Sequence, residues 1–286
     1  MKYEAPSEEH LLKQRYLAIA FSLVEKIIKY ISTDETVFLK VIKTLNETIG
    51  VVLEYLKDAK EHGKKRGDDL LASVRVTGSY LAETLDACKD QVRDLLDYML
   101  SVEGEEESSP FLSTCFLLPM LCQITMKDEG CELLAALYVA VVECLVKLIQ
   151  SDGLNGEEDS GSIFLACDTV MNILLKREQI GFSPEFSTFS SLLKALAYWA
   201  DGTEDPSVVM MAASICSLIC DFTSEEALLK QPSFNGSSLD SLARLIARRL
   251  SSSGQDTSDT ADLLELITGG YSRWRQWRSK NFFGLR

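Results

Sequence analysis

Histidine is nearly missing from this 286-residue chain, which has only His10 and His62. A Ser-His-Asp or Cys-His arrangement would have to use one of them. Both lie in polar stretches near helix ends, with no nucleophile placed beside them. Zinc sites built from mixed histidine and cysteine ligands are equally short of material. The eight cysteines (Cys88, Cys115, Cys122, Cys131, Cys144, Cys167, Cys216 and Cys220) form no C-x-x-C pair. They sit in apolar helical segments such as "SVVMMAASICSLICDF" and read as small buried hydrophobes kept reduced. G-x-x-x-x-G-K-[ST], G-x-G-x-x-G and G-x-S-x-G do not occur, so phosphate cradles and nucleophile elbows have no support. The expectation is a protein that is not an enzyme, with no catalytic, cofactor-binding or metal-binding residues.

Positive charge is also scarce over most of the chain. The net charge is −14, yet residues 271–286, "YSRWRQWRSKNFFGLR", hold five basic residues and no acid, leaving −19 for residues 1–270. A polyanionic body repels phosphate backbones, so nucleic acid is not an expected partner. Other proteins are, above all their basic or amphipathic segments. The acids in "EGEEESS" (103–109) match no calcium loop and read as a charged, flexible connection.

Long apolar runs are few. The opening "MKYEAPSEEH" lacks the apolar core of a secretion signal, so a cytoplasmic protein is expected. Ser108–Met126, "SSPFLSTCFLLPMLCQITM", is uncharged over nineteen residues, but its serines, threonines and Pro119 make it costly in lipid. It is read as a buried helix pair.

What the chain has in abundance is helical periodicity. Leu12, Tyr16, Ile19, Leu23 and Ile27 recur every three or four residues, as do Phe38, Val41, Leu45, Ile49, Val52 and Leu56. Each set makes an apolar stripe along one helix face. No run alternates with period two. Ser183-Pro184 and Asp205-Pro206 pair a capping side chain with proline at the first helical position, and Asp34, Asp68, Asp86, Thr223 and Ser237 are further cap candidates. About a dozen helices are expected. Nearly every one keeps a polar face, which favours a layered row over a closed ball: an all-α, armadillo/HEAT-like α-solenoid. Residues 1–270 are expected to form this array, and 271–286 a basic aromatic tail without fixed structure.

Several long strings carry a resemblance. "GDDLLASVRVTGSYLAET" (67–84), "SSPFLSTCFLLPMLCQITMKDEGCELL" (108–134), "IFLACDTVMNILLKREQ" (163–179) and "LLKALAYWADGTEDPSVVMMAASICSLICDFTSEEALL" (192–229) resemble the neurochondrin family, closest to its plant-type members. The likeness is read from about the first helix to near Trp274. It implies an armadillo-type helical fold, no enzymatic activity and a cytoplasmic interaction role. Family members are longer, so the chain is expected to correspond to a C-terminal portion. In that case its first helices, Leu11 to Ile31, should expose an apolar stripe and promote self-association. Where the family pattern suggests a glycine-containing turn, "LLAALYVAVVECLVKLI" (133–149) reads as one continuous apolar helix.

Three groups of residues are candidates for partner binding. Asn172, in "ACDTVMNILLK", stands where an armadillo groove asparagine would grip an extended peptide, although an asparagine satisfied inside its own array is the plainer reading. Arg244, Arg248 and Arg249 make a basic ridge on "SLDSLARLIARRLSSS" that would suit an acidic partner or a phosphate group; the plainer reading is a surface ion-pair run with Asp240. Trp274 and Trp277 belong to the aromatic tail, the one place where peripheral membrane contact is conceivable. The main expectation is a non-catalytic protein-interaction scaffold. Its alternative is a membrane-associated adaptor using the tail.

Overall fold

The computed structural model describes residues 8–31, 35–84, 88–105, 109–155, 160–181, 186–251 and 258–282. Within these ranges, side chains are described except at 8–15, 31, 35–40, 152–155, 160, 258–260 and 275–282. Among the described residues there are thirteen α-helices and no strand, only an isolated bridge between Arg66 and Glu103. The chain is an all-α helical-repeat protein, and it divides into two compact units, 1–124 and 125–286.

The first unit holds α1 (Glu8–Ile31), α2 (Glu35–Glu61), α3 (Asp68–Glu83), α4 (Lys89–Leu100) and α5 (Phe111–Thr125), the last of which ends at the unit boundary. Apolar stripes at 3.6-residue spacing dictate the packing: α1 lies on α3, and α2 lies on both α3 and α4. The core is built from Ile49, Leu53 and Leu56 of α2, Leu70, Val74 and Leu81 of α3, and Leu96 and Met99 of α4. Tyr80 is buried with them and donates its hydroxyl to Asn46 Oδ1 at 2.6 Å. The uncharged stretch 108–126 contributes one helix rather than a pair. Pro119 sits inside α5, and Ser113 and Thr114 donate their hydroxyls to the Pro110 carbonyl at 2.7 and 3.1 Å. Where α3 crosses α5, a Cβ at Gly78 would stand 2.5 Å from the Phe116 carbonyl oxygen, so only glycine permits the approach.

The connections are less free than their composition suggests. Residues 65–68 and 103–105 pair with each other: Glu103 N–H donates to the Lys65 carbonyl at 2.9 Å, and Gly67 N–H donates to the Glu103 carbonyl at 3.0 Å. Arg66 donates to the carbonyls of Gly104 and Glu105, and Asp68 accepts from the Glu105 N–H at 2.9 Å. The acidic loop expected to be flexible is therefore clasped over Glu103–Glu105; Glu106 and Glu107 lie outside the described residues.

The second unit holds α6 (Asp128–Ala135), α7 (Tyr138–Asn155), α8 (Ser160–Leu175), α9 (Phe186–Asp201), α10 (Pro206–Phe222), α11 (Glu225–Leu229), α12 (Gly236–Ser251) and α13 (Ser258–Phe282). Its helices stack on neighbours no more than three places along the chain: α7 on α8 and α9, α8 on α10, α9 on α10 and α12, α10 on α12 and α13, α12 on α13. That near-neighbour pattern is how a solenoid row packs. The helix expected to run unbroken through 133–149 is interrupted at Ala136 and Leu137, where a turn without glycine separates α6 from α7. Asp205 caps α10 as expected, accepting the Ser207 N–H at 2.8 Å with Pro206 at the first position. Ser224 rather than Thr223 caps α11, and Asn235 rather than Ser237 accepts from the first turn of α12, each displaced from the expected residue by one or two positions. The Ser183-Pro184 cap and those at Asp34 and Asp86 lie outside the described residues.

One helix departs from the rule that each keeps a polar face. α10 is buried from Val208 to Cys220 apart from partly exposed Met211, enclosed by α8, α9, α12 and α13. The cover from α13 is close: a Cβ at Gly270 would lie 2.8 Å from the Ser217 carbonyl oxygen. Trp274, 1% exposed, fills the same seam.

Candidate functional site: the groove between α9 and α12

The apolar face of α9, including Phe189, Leu192, Leu193 and Leu196, is spent on packing, and Lys194, Tyr198 and Asp201 fall on the outward face at i, i+4 and i+7. On α12, Leu239, Leu242, Leu245 and Ile246 point inward, while Ser237, Ser241, Arg244 and Arg248 follow one another at spacings of four, three and four. The two polar stripes face each other across an open groove of about 430 Å³.

Three cations line it. Lys194 Nζ reaches back to the Ser233 carbonyl at 2.9 Å. Arg244 is exposed and bonds Ser241 Oγ at 3.1 Å. Arg248 donates to the carbonyls of Ala200 (2.8 Å) and Thr203 (2.6 Å) and lies 3.5 Å from a Glu204 carboxylate oxygen. Its guanidinium thus closes the C-terminal end of α9, where carbonyls need donors and positive charge is favoured. Asp201 is the one acid among the lining residues, and Tyr198, 69% exposed, stands in the groove as a flat apolar surface. The donors can receive a carboxylate or another anion, and the ring can pack an adjoining side chain.

The other candidate residues are distributed differently. Arg249 does not belong to the exposed ridge: it is 7% exposed and its Nε lies 3.2 Å from Met210 Sδ, packed against α10. Asn172 Nδ2 donates to Thr125 Oγ1 at 3.2 Å, and Lys176, one turn on, donates to the Met126 carbonyl and meets Asp128, both at 2.8 Å. These bonds lie within the second unit, on the residues that lead into α6. The boundary expected at 270/271 falls within the continuous helix α13, so residues 271–282 are helical rather than unstructured. Trp274 is sunk against α10, Arg273 pairs with Asp221, and Asp221 also takes Arg177 at 3.2 Å. Trp274 is thus buried, whereas Arg273 stays more than half exposed beside its Asp221 partner. The side chain of Trp277 lies outside the described residues.

Titratable groups point to structural roles. Burial pushes the Cys220 thiol up to about 12 and raises Cys167 and Cys216 as well, far from the thiolate range a nucleophile needs. Asp168, one turn before Asn172, has its pKa raised by burial. The pKa of exposed His62 is raised, first by its bond to the Asp58 carbonyl and then by the Asp58 charge. No group of three or more metal-ligating side chains occurs among the described residues. None of their helices is long and apolar enough to cross a membrane.

The model of the Neurochondrin family matches residues 2–198, more than half of the chain. The chain belongs to the neurochondrin family. Neurochondrin of Gallus gallus is 24% identical over 216 residues, covering 65% of this chain and 30% of the chicken protein. No solved structure matches. The family match ends at Tyr198, within α9, short of the Trp274 to which the resemblance is read in the sequence. The groove thus joins a helix inside the matched region to α12, which lies beyond it. Lys194 and Tyr198 were not singled out by sequence reasoning. Their i,i+4 spacing was visible, but the pairing of α9 with α12 was not.

Proposed function

We propose that this neurochondrin-family chain is a non-catalytic interaction protein that docks segments of other proteins on its helix–helix grooves. The observation that carries the reading is the α9/α12 groove, where Lys194, Arg244 and Arg248 converge from two helices beside an exposed tyrosine in a chain of net charge −14. An extended acidic segment fits that groove, its carboxylates on the cations and an apolar side chain on Tyr198. Elsewhere the negative field suits basic or amphipathic segments and disfavours nucleic acid. Free, largely buried cysteines accord with a reducing compartment such as the cytoplasm.

The test is a fluorescence-anisotropy titration with a labelled Asp/Glu-rich peptide containing one leucine, and with a Lys/Arg-rich peptide of equal length. The acidic peptide should bind the parent chain, and Lys194→Glu with Arg244→Glu should weaken it at least about tenfold, more at low salt. An acidic peptide held equally well by the double variant would remove the groove from the proposal.

A further inference from the structure

α1 packs on α3 through a face that includes buried Phe21 and Ile28, and Arg75 of α3 grips Glu25 beside that face. On a different side of the helix, Tyr16, Ile19, Leu23, Ile27 and Tyr30 are 64, 52, 54, 46 and 74% exposed. At 100° per residue these five fall within about 40° on either side of Leu23, a narrow apolar stripe roughly 21 Å long. It is the largest run of exposed apolar side chains on any described helix.

The stripe is symmetric. Counting outward from Leu23, isoleucine stands at both −4 and +4 and tyrosine at both −7 and +7. A two-fold axis through Leu23 therefore matches every member to a like partner on an antiparallel copy: Leu23 with Leu23, Ile19 with Ile27, Tyr16 with Tyr30. The flanking charge fits the same operation. Lys26, at +3, shares a flank with Ile19 of the other copy, over which its methylene stem can lie with the ammonium in water, and Glu25 is held by Arg75 of its own chain. The two Lys26 side chains share a flank but stand about 9 Å apart along the helices, far enough for salt to screen much of their repulsion. Together with Ala20 and the Lys26 stem, the stripe exposes roughly 600 Å² per copy, so a pair buries at most about 1,200 Å², the lower edge of specific interfaces.

We propose that the occupant of this face is a second copy of the chain, with the two α1 helices pairing antiparallel about Leu23. A self-complementary patch of this kind is what an isologous interface requires, and an area at the lower edge points to a reversible, concentration-dependent dimer.

Sedimentation equilibrium of the full chain over a wide concentration range tests it. The parent chain should show a monomer–dimer equilibrium. Leu23→Glu, which sets two carboxylates on the axis, should weaken it by roughly a hundredfold or more. Ile19→Glu alone and Ile27→Lys alone should each weaken it at least about tenfold, and the double variant should recover most of the loss. Positions 19 and 27 are too far apart on one helix to pair, so recovery must come from the partner. A parallel arrangement would set Glu against Glu and make the double variant worse. Circular dichroism should show unchanged helix content in all four, since the substituted side chains are exposed. The proposal is overturned by a parent chain that stays monomeric throughout, including one that instead binds neutral phosphatidylcholine vesicles through this face. A dimer indifferent to these substitutions, or a double variant without recovery, overturns it equally.

Discussion

α1 and α13 are both long helices of mixed apolar and charged sequence, and they treat their apolar residues in opposite ways. α13 turns Ile267, Gly270 and Trp274 onto α10 and secures them with the Arg273–Asp221 pair, so that α10 is enclosed. α1 spends Phe21 and Ile28 on α3 and leaves a second stripe, centred on Leu23, at the surface. The same raw material thus yields a cover in one unit and an exposed face in the other. An apolar residue in a helix says that something must lie against it, not whether that something belongs to the same chain.

Breaking the cover should have the largest effect. Trp274→Ala empties the α10–α13 seam and should cost the second unit about 3–5 kcal/mol, read from urea unfolding followed by circular dichroism. Gly270→Val drives a branched side chain into the Ser217 backbone and should cost about 2–3 kcal/mol, even though valine is the better helix former. Asp221→Ala leaves Arg177 and Arg273 without their shared carboxylate and should cost about 1–2 kcal/mol.

A smaller effect is expected on α8, which packs against α10. Burial raises the Asp168 pKa, so the folded state binds that proton more tightly than the unfolded chain does. The resulting stabilisation is complete below the ordinary value of 3.8 and is lost as pH rises through the folded-state pKa. Asp168→Asn should therefore stabilise the second unit at neutral pH relative to the parent, with the gain shrinking in acid; paired urea curves at pH 7 and pH 3.5 check it. The smallest effect belongs to α1. Ile19→Ser should change unfolding free energy by no more than about 0.5 kcal/mol at dilute concentration, where no second copy covers the stripe. A loss comparable to that of Trp274→Ala would erase the contrast between the two helices.

The helices themselves were legible because their signal is local. A stripe recurring every three or four residues, or a cap such as Asp205 followed by proline, is contained within one or two turns. Errors cluster where a distant segment decides. Residues 62–67 and 103–109 each look like solvated loops, yet Arg66 finds carbonyls nearly forty positions away. The break at Ala136–Leu137 has no glycine or proline to announce it. The basic ridge on α12 was only partly legible. Arg244 and Arg248 do face a groove, but Arg249, one residue further round the helix, is carried inside by the 100° step. The tail misled because five cations and two tryptophans look like an unanchored end, while Trp274 had a seam waiting on α10.

The clasp between residues 65–68 and 103–105 has a mechanical consequence. Two alternate connectors of the first unit are stapled together here by backbone and arginine bonds, which limits how far the helices they join can slide past one another. The stretch from α2 to α5 should therefore carry load as a strut where an untied row would give like a spring. A partner gripping that stretch would meet a surface whose curvature is already set, and would lose little entropy in shaping it.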